Sequence, residues 1–228
     1  MNQKDVVITL DGPAGSGKSS VAKKLAEHLG LLHADSGAMY RTFTLALMQR
    51  LGPGETPEDF GNQVKAAAIS PESLHVEVKI DADRQSNLIS GLDQMDLIRS
   101  PEVTARIKYI ADRLEFREAV NRLLSKMKGV VADGRDMGSV VFPDAPFKFY
   151  LEASVEMRAE RRLKELQAKG WNEDIEALRE SIRKRDEEDQ NRQFGALRRT
   201  DDMILIDTTH INLDGVLRRI LNSLQIQF

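Results

Sequence analysis

The 228-residue chain has no cysteine, which excludes disulfides and thiolate metal sites outright. Histidine is sparse: the four residues His28, His33, His75 and His210 are scattered rather than paired at ligand spacing, so no structural metal is expected. A basic surplus is missing too. Lys and Arg number 33 against 36 Asp and Glu, a net charge of −3, and polymeric nucleic acid is not an expected partner. Long apolar runs are absent: Met1-Asn2-Gln3-Lys4-Asp5 precedes an apolar stretch too short for a signal peptide or a membrane span, so a cytoplasmic protein with no membrane partner is expected. There is no internal repeat and no low-complexity segment. At 41% hydrophobic residues the chain can bury a core, and its length suits one domain with or without an insert, expected to act as a monomer.

What is present is an alternation of short apolar runs with helical periodicity. Val6 to Leu10 reads as a strand ending at Asp11-Gly12, and a helix follows with apolar residues at Val21, Leu25 and Leu29 before Gly30 stops it. Further helices are expected over 38–51, closed by Gly52-Pro53-Gly54, and over 57–68. Apolar and polar residues alternate over 75–80, and a second run over 87–92 follows the turn-like Asp81-Ala82-Asp83, suggesting a small antiparallel insert. Pro101 opens a helical stretch to about Met127 with a stripe at Val103, Ile107, Ile110 and Leu114, long enough to require a bend or break. Apolar runs at 130–132, 147–151 and 203–206 then alternate with helices over 154–169, 172–192 and 213–224, the last a packing helix within 213–228. Such alternation argues for an α/β fold with a parallel sheet covered on both faces.

Gly12-Pro13-Ala14-Gly15-Ser16-Gly17-Lys18-Ser19 matches the G-x-x-x-x-G-K-[ST] pattern between a strand and a helix. Glycines let several N–H groups turn toward one anion, and the helix that follows adds its positive end. Lys18 is expected to reach the β- and γ-phosphates of a nucleoside triphosphate and the Ser19 hydroxyl to hold Mg²⁺. The loop alone does not say whether the triphosphate drives motion, switches a loop or donates a phosphoryl group.

A phosphoryl-transfer enzyme needs several cations beyond the loop lysine. Arg41 lies in the first turns of the helix that opens with Asp35-Ser36-Gly37, and Asp133-Gly134-Arg135-Asp136 follows the strand at 130–132. Ligands bind past the carboxyl ends of strands in open α/β sheets, so Asp133, Arg135 and Asp136 should lie near the loop. Arg185, Asp189 and Arg192 fall within about 60° of helical arc; they either address one ligand or form a solvated face with an i, i+4 ion pair. Arg158, Arg161 and Arg162 either close over a triphosphate or face water.

Asp133-Gly134-Arg135-Asp136-Met137-Gly138-Ser139-Val140-Val141-Phe142-Pro143-Asp144-Ala145, taken with the strings 35–41 and 185–192, resembles bacterial cytidylate kinases at matching spacings from about Val6 to Ile206. The resemblance implies a three-layer P-loop nucleoside monophosphate kinase fold within a single domain over 1–228. That domain would carry a monophosphate-binding β insert at about 62–100 and a helical lid at about 155–172. It implies ATP and CMP or dCMP as partners, Mg²⁺ as cofactor, and CDP or dCDP and ADP as products in pyrimidine nucleotide metabolism. Carried over by residue, Gly12 to Ser19 with Ser20, and the lid arginines Arg158, Arg161 and Arg162, would bind ATP. Arg41, Arg135 and Arg192 would hold the acceptor phosphate with Ser36 nearby, Arg185 and Asp189 the ribose, and Arg117 and Asp136 the cytosine ring. Lys18, Arg135, Arg192 and Arg162 would act in catalysis, and Ser19 with Asp133 would hold the metal. One position departs: nine residues before Arg117, where the family usually has a serine, this chain has Lys108.

The base assignment is chemically sensible, because cytosine offers an exocyclic amine to a carboxylate where uracil presents a carbonyl. The rivals are a P-loop kinase for another small acceptor, such as UMP or shikimate, and a nucleotide-binding switch.

Overall fold

The computed structural model describes residues 5–81, 84–168 and 170–225. The expected turn residues Ala82 and Asp83, the helix end expected at Lys169 and the chain ends before Asp5 and after Gln225 lie outside the described residues. Along the chain the elements run β1 (Val7–Asp11), α1 (Lys18–Leu29), β2 (Leu32–Asp35), α2 (Ser36–Leu51), α3 (Pro57–Ala67), β3 (Val76–Ile80), β4 (Gln85–Ile89) and β5 (Leu92–Asp93). Then come α4 (Pro101–Arg106), α5 (Lys108–Ala111), α6 (Leu114–Leu124), β6 (Val130–Gly134), β7 (Phe147–Glu152), α7 (Val155–Gln167), α8 (Ile175–Gln190), β8 (Ile204–Asp207) and α9 (Leu213–Gln225). They form two compact units. One comprises the described residues through Leu31 together with those from Lys128 onward, the other Leu32–Met127.

In the first unit the strand order is β6-β1-β7-β8 and every pair is parallel. The register sets Asp11 level with Gly134 on one side and Tyr150 on the other, so β1 and β6 finish together at their carboxyl ends while β7 continues to Glu152. Ile8 and Leu10 of β1 join Val21, Ala22 and Leu25 of α1 and Val216, Ile220 and Leu224 of α9 in one buried cluster. The four-residue spacing on both helices puts those side chains on a single face, and burying each large aliphatic contributes about 1.5–3 kcal/mol. Strand alternation sends Thr9 and Asp11 to the opposite face of β1, where both are fully buried. Gly30 closes α1 as expected, with φ of +62° and its N–H returned to the helix carbonyls.

In the second unit β3, β4 and β5 form the antiparallel insert. The single strand expected over 87–92 is two strands. Ser90 (φ +49°) and Gly91 (φ +81°) make a two-residue reversal between Ile89 and its partner Leu92, and paired positive φ is what such a hairpin requires. Strand β2 was not expected at all; its sequence Leu-His-Ala-Asp has no β-branched residue and is only four residues long. Asp35 ends it and caps α2, accepting the Ala38 N–H at 2.9 Å. Thr56 and Asp59 form a reciprocal capping box at the start of α3.

The long helix expected from Pro101 is three pieces, and the reason for the break at Arg113 is phase. Val103 and Ile110 are buried at one end, Phe116, Val120 and Leu124 at the other. The step from Ile110 to Phe116 turns about 240° on a continuous helix, so one straight rod cannot bury both sets. Arg113 adopts an extended conformation (φ −100°, ψ 128°) and resets the phase. Leu114, expected on the stripe, is 45% exposed as a result. Among the described residues no helix is long and apolar enough to cross a membrane.

Candidate active site

The loop between β1 and α1 is shaped by its neighbours. Gly12 has φ of +153°, and a Cβ there would lie 2.0 Å from the Leu151 carbonyl oxygen of β7, so no side chain fits. Gly17 (φ +87°) precedes α1 and provides no side-chain cap, which directs the first N–H groups of the helix toward a ligand. Lys18 is 7% exposed and turns its ammonium back to donate to the Pro13 carbonyl at 3.1 Å. Burial, then the charges of Arg135 and Arg185, lower its pKa to about 7 against the pull of Asp133 and Asp189.

Ser19 donates its hydroxyl to Asp133 Oδ2 at 2.5 Å. A hydroxyl beside a carboxylate is the hard-oxygen set that Mg²⁺ selects, and this ion takes few protein ligands because phosphates and waters complete its shell. That economy suits a structure in which, among the described residues, no three His, Asp or Glu side chains gather as a metal cage. The residues present therefore fit the ion that the loop implies.

Beside the loop lies a second cluster. Asp189 of α8 is 1% exposed, accepts Arg135 Nε at 2.6 Å on one oxygen and pairs with Arg192 Nη2 at 2.7 Å on the other. Burial alone would raise its pKa, but Arg135, Arg192 and Arg185 overcome that and hold it below the ordinary carboxylate value. Arg185 is lowered to about 10 by burial and then by Arg135, with Arg192 and Arg162 adding to the effect. Asp189 thus turns inward with Arg185 half-buried one turn before it, so this face is not fully solvated. Four cations (Lys18, Arg135, Arg185 and Arg192) act on one another across two carboxylates, Asp133 and Asp189. Such a concentration of cations is chemically suited to a polyanion.

The three arginines of α7 separate. Arg158 is buried, donating Nε to Ala153 O at 3.0 Å, Nη1 to Ala14 O at 3.2 Å and both terminal nitrogens to Asp186 at 2.9 and 2.5 Å. Arg161 reaches the Gly15 carbonyl at 3.3 Å and the Thr208 carbonyl at 2.6 Å. Arg162 turns to Glu165 at 3.2 Å. Two of the three therefore grip the loop by its carbonyl oxygens. Ser20 is exposed at the loop's end, whereas Asp136, next to Arg135, is 2% exposed.

In the second unit, Ser36 is buried at the start of α2, next to Asp35, which pairs with Arg99 at 2.9 Å. Arg41 donates to Thr104 Oγ1 at 2.7 Å and to Ile98 O at 3.4 Å. Arg117 is 3% exposed, donates to Ala111 O at 2.9 Å and lies 5.6 Å from the Tyr40 ring centroid. Lys108 stands over the ring of Tyr109 at 5.3 Å.

The family model for cytidylate kinase matches residues 8–226. A cytidylate kinase of Exiguobacterium sibiricum is 40% identical over 220 residues, covering 95% of this chain and 96% of the relative. One of Caldicellulosiruptor bescii is 39% identical over 224 residues, covering 96% of this chain and 95% of the relative. The chain belongs to the cytidylate kinase family.

For a cytidylate kinase family member, two side chains escaped the sequence reading. Asp186 holds Arg158 against the loop, and its only signal was its place between Arg185 and Asp189. Asp11 is a fully buried carboxylate at the loop's entrance; its signal was a charge that continues the strand alternation after Thr9.

The state of Lys18 in this cytidylate kinase family member makes a prediction about ATP. A lysine titrating near 7 in the free protein regains a strong preference for its proton when phosphates arrive. With ATP phosphates on Lys18, the role expected of it, the free side chain would be neutral and the bound one charged between that value and the ordinary lysine range, so binding would take up a proton and weaken as pH rises. Calorimetric titration of ATP at pH 8 in buffers of different ionisation enthalpy should show net proton uptake. Enthalpies independent of buffer would refute it.

Proposed function

We propose that this chain transfers the γ-phosphoryl group of ATP to CMP or dCMP, giving ADP and CDP or dCDP. The observation that carries the reading is the Arg135–Asp189–Arg192 bridge beside the loop lysine. A switch needs one phosphate site; a second fixed cluster of arginines serves a second phosphate-bearing ligand. The acceptor phosphate is already anionic near neutral pH, so no strong general base is required. Catalysis then rests on in-line positioning and charge neutralisation by Lys18, Arg135, Arg192 and Arg162. Ser19 and Asp133 would hold Mg²⁺, which neutralises charge on the donor phosphates when bound. Arg158 and Arg161, by gripping the loop's carbonyls, keep its N–H groups turned toward ATP.

For the acceptor we assign Arg41 with Ser36, Arg135 and Arg192 to the phosphate, and Arg185 and Asp189 to the ribose. Asp136 and Arg117 take the base. A carboxylate that accepts from the cytosine amine is left facing a carbonyl oxygen when uracil binds, a mismatch of roughly 1–3 kcal/mol. ADP release measured with CMP, dCMP, UMP, AMP and no acceptor tests the whole reading: stimulation by CMP and dCMP is expected, and equal rates with and without CMP would sink it. Asp136→Asn should narrow the CMP-over-UMP ratio of kcat/KM by about tenfold. An unchanged ratio removes Asp136 from the base site.

A further inference from the structure

Asp11 is the last residue of β1, directly before Gly12, and is fully buried. Its two carboxylate oxygens each accept one backbone N–H: Met137 at 2.8 Å and Gly138 at 2.7 Å. These are the residues that follow Asp136. They open a wide helical turn over Met137–Val141, in which Val141 N–H returns to Asp136 O at 3.1 Å and Phe142 N–H to Met137 O at 2.7 Å. The first amides of any helical turn find no partner within it, and wide turns of this kind often mark functional sites.

The turn is also pressed onto the same face of β1 at Thr9, since a Cβ on Gly138 would stand 2.7 Å from Thr9 Oγ1 and 3.0 Å from Met203 Cε. Asp136 is thus fixed from before by the end of β6 and from after by Asp11.

We infer that Asp11 is a positioning residue for acceptor recognition: by holding the Met137 and Gly138 amides it sets where the Asp136 carboxylate stands relative to the phosphate loop. The inference rests on the proposed base-reading role of Asp136. A carboxylate is a costly choice for packing alone. Burial foremost, with the nearby charge of Asp136 adding, raises the Asp11 pKa to about 7, while the two amides and Lys18 pull it back. What the carboxylate offers in return is two acceptors at fixed separation. Asparagine has the same shape but one acceptor; its amide would set a donor against a donor, lose one bond and free one end of the turn.

The test compares kcat/KM for CMP and UMP in wild type, Asp11→Asn, Asp136→Asn and the double variant. Asp11→Asn is expected to narrow the CMP-over-UMP ratio by about tenfold, mainly through KM for CMP, and the double variant to be no less selective than Asp136→Asn alone. Equal losses for both acceptors, tracking a lower melting temperature, would show a merely structural role and overturn the inference. If Asp136→Asn narrows the ratio and Asp11→Asn does not, the inference alone fails. If Asp136→Asn changes nothing, the base reading fails and takes the inference with it. Should Asp11→Asn not fold, amide hydrogen exchange on the wild type decides. Met137 and Gly138 should gain protection with CMP and not with UMP, and no gain with CMP overturns the proposal.

Discussion

Lys18→Met is expected to lower kcat for phosphorylation of CMP by about 10²–10³-fold, the loss typical of removing one preorganised electrostatic group from a transition state. The same variant should melt no lower than wild type. In the free protein the Lys18 ammonium is buried, faces Arg135 and Arg185, and has a single carbonyl partner in Pro13. Its charge is therefore a destabilising feature until phosphates arrive, and methionine of similar length removes it without leaving a cavity. The sign of the pH dependence follows from the folded pKa of about 7 lying below the ordinary lysine value of 10.5. Between those two values the unfolded chain binds more protons, so wild-type stability rises with pH across the window, and Lys18→Met should flatten that rise. Thermal melts across the window, with steady-state ADP release at saturating substrates, check both halves. A variant that keeps a third of wild-type kcat, or that loses activity and stability together, contradicts the argument.

The legible parts of the chain are those in which function and local structure use the same residues. Gly12 to Ser19 announced the turn between β1 and α1, and Gly30 ended α1 where the periodicity did. Asp133 to Asp136 followed an apolar run that is β6, so placing them at the sheet's carboxyl edge needed only the rule for parallel strands. The illegible parts depend on contacts distant in sequence. Asp11 looked like a strand terminator because the amides it accepts are 126 and 127 residues away. Arg158, Arg161 and Arg162 group in the sequence as lid arginines that either close over a triphosphate or face water, and only the fold gives Arg158 to Asp186 and Ala14 while turning Arg162 to Glu165. The break at Arg113 was foreseeable from length but not from position, which the buried phase of Phe116 decides. In α8 the spacing of Arg185 and Asp189 allowed a surface ion pair; instead Asp189 is buried and pairs with Arg135, which follows β6 in the chain.

That burial sets the size of the second large effect. Asp189→Asn removes the charge that Arg135 and Arg192 share and, at nearly unchanged shape, turns one of the two acceptors into a donor that faces an arginine, so the bridge is lost on both counts. Three arginines and Lys18 would then face one another with one fewer counter-charge, Asp133 and Asp11 being those left near Lys18. Breaking a buried pair on one side costs about 3–5 kcal/mol, or roughly 6–20 °C in Tm for a chain of this size. Sulfate should restore more of the loss in Asp189→Asn than it adds to wild type, because the variant has more uncompensated positive charge for an anion to occupy. The Asp189 pKa is held below the ordinary carboxylate value, so its contribution is complete above that value and disappears only as pH falls through the lower, folded one. Wild type and Asp189→Asn should therefore differ most near neutral pH and converge in acid. Calorimetric melts at several pH values, with and without sulfate, would count against the buried bridge if the two proteins melted together at pH 7 or responded equally to the anion.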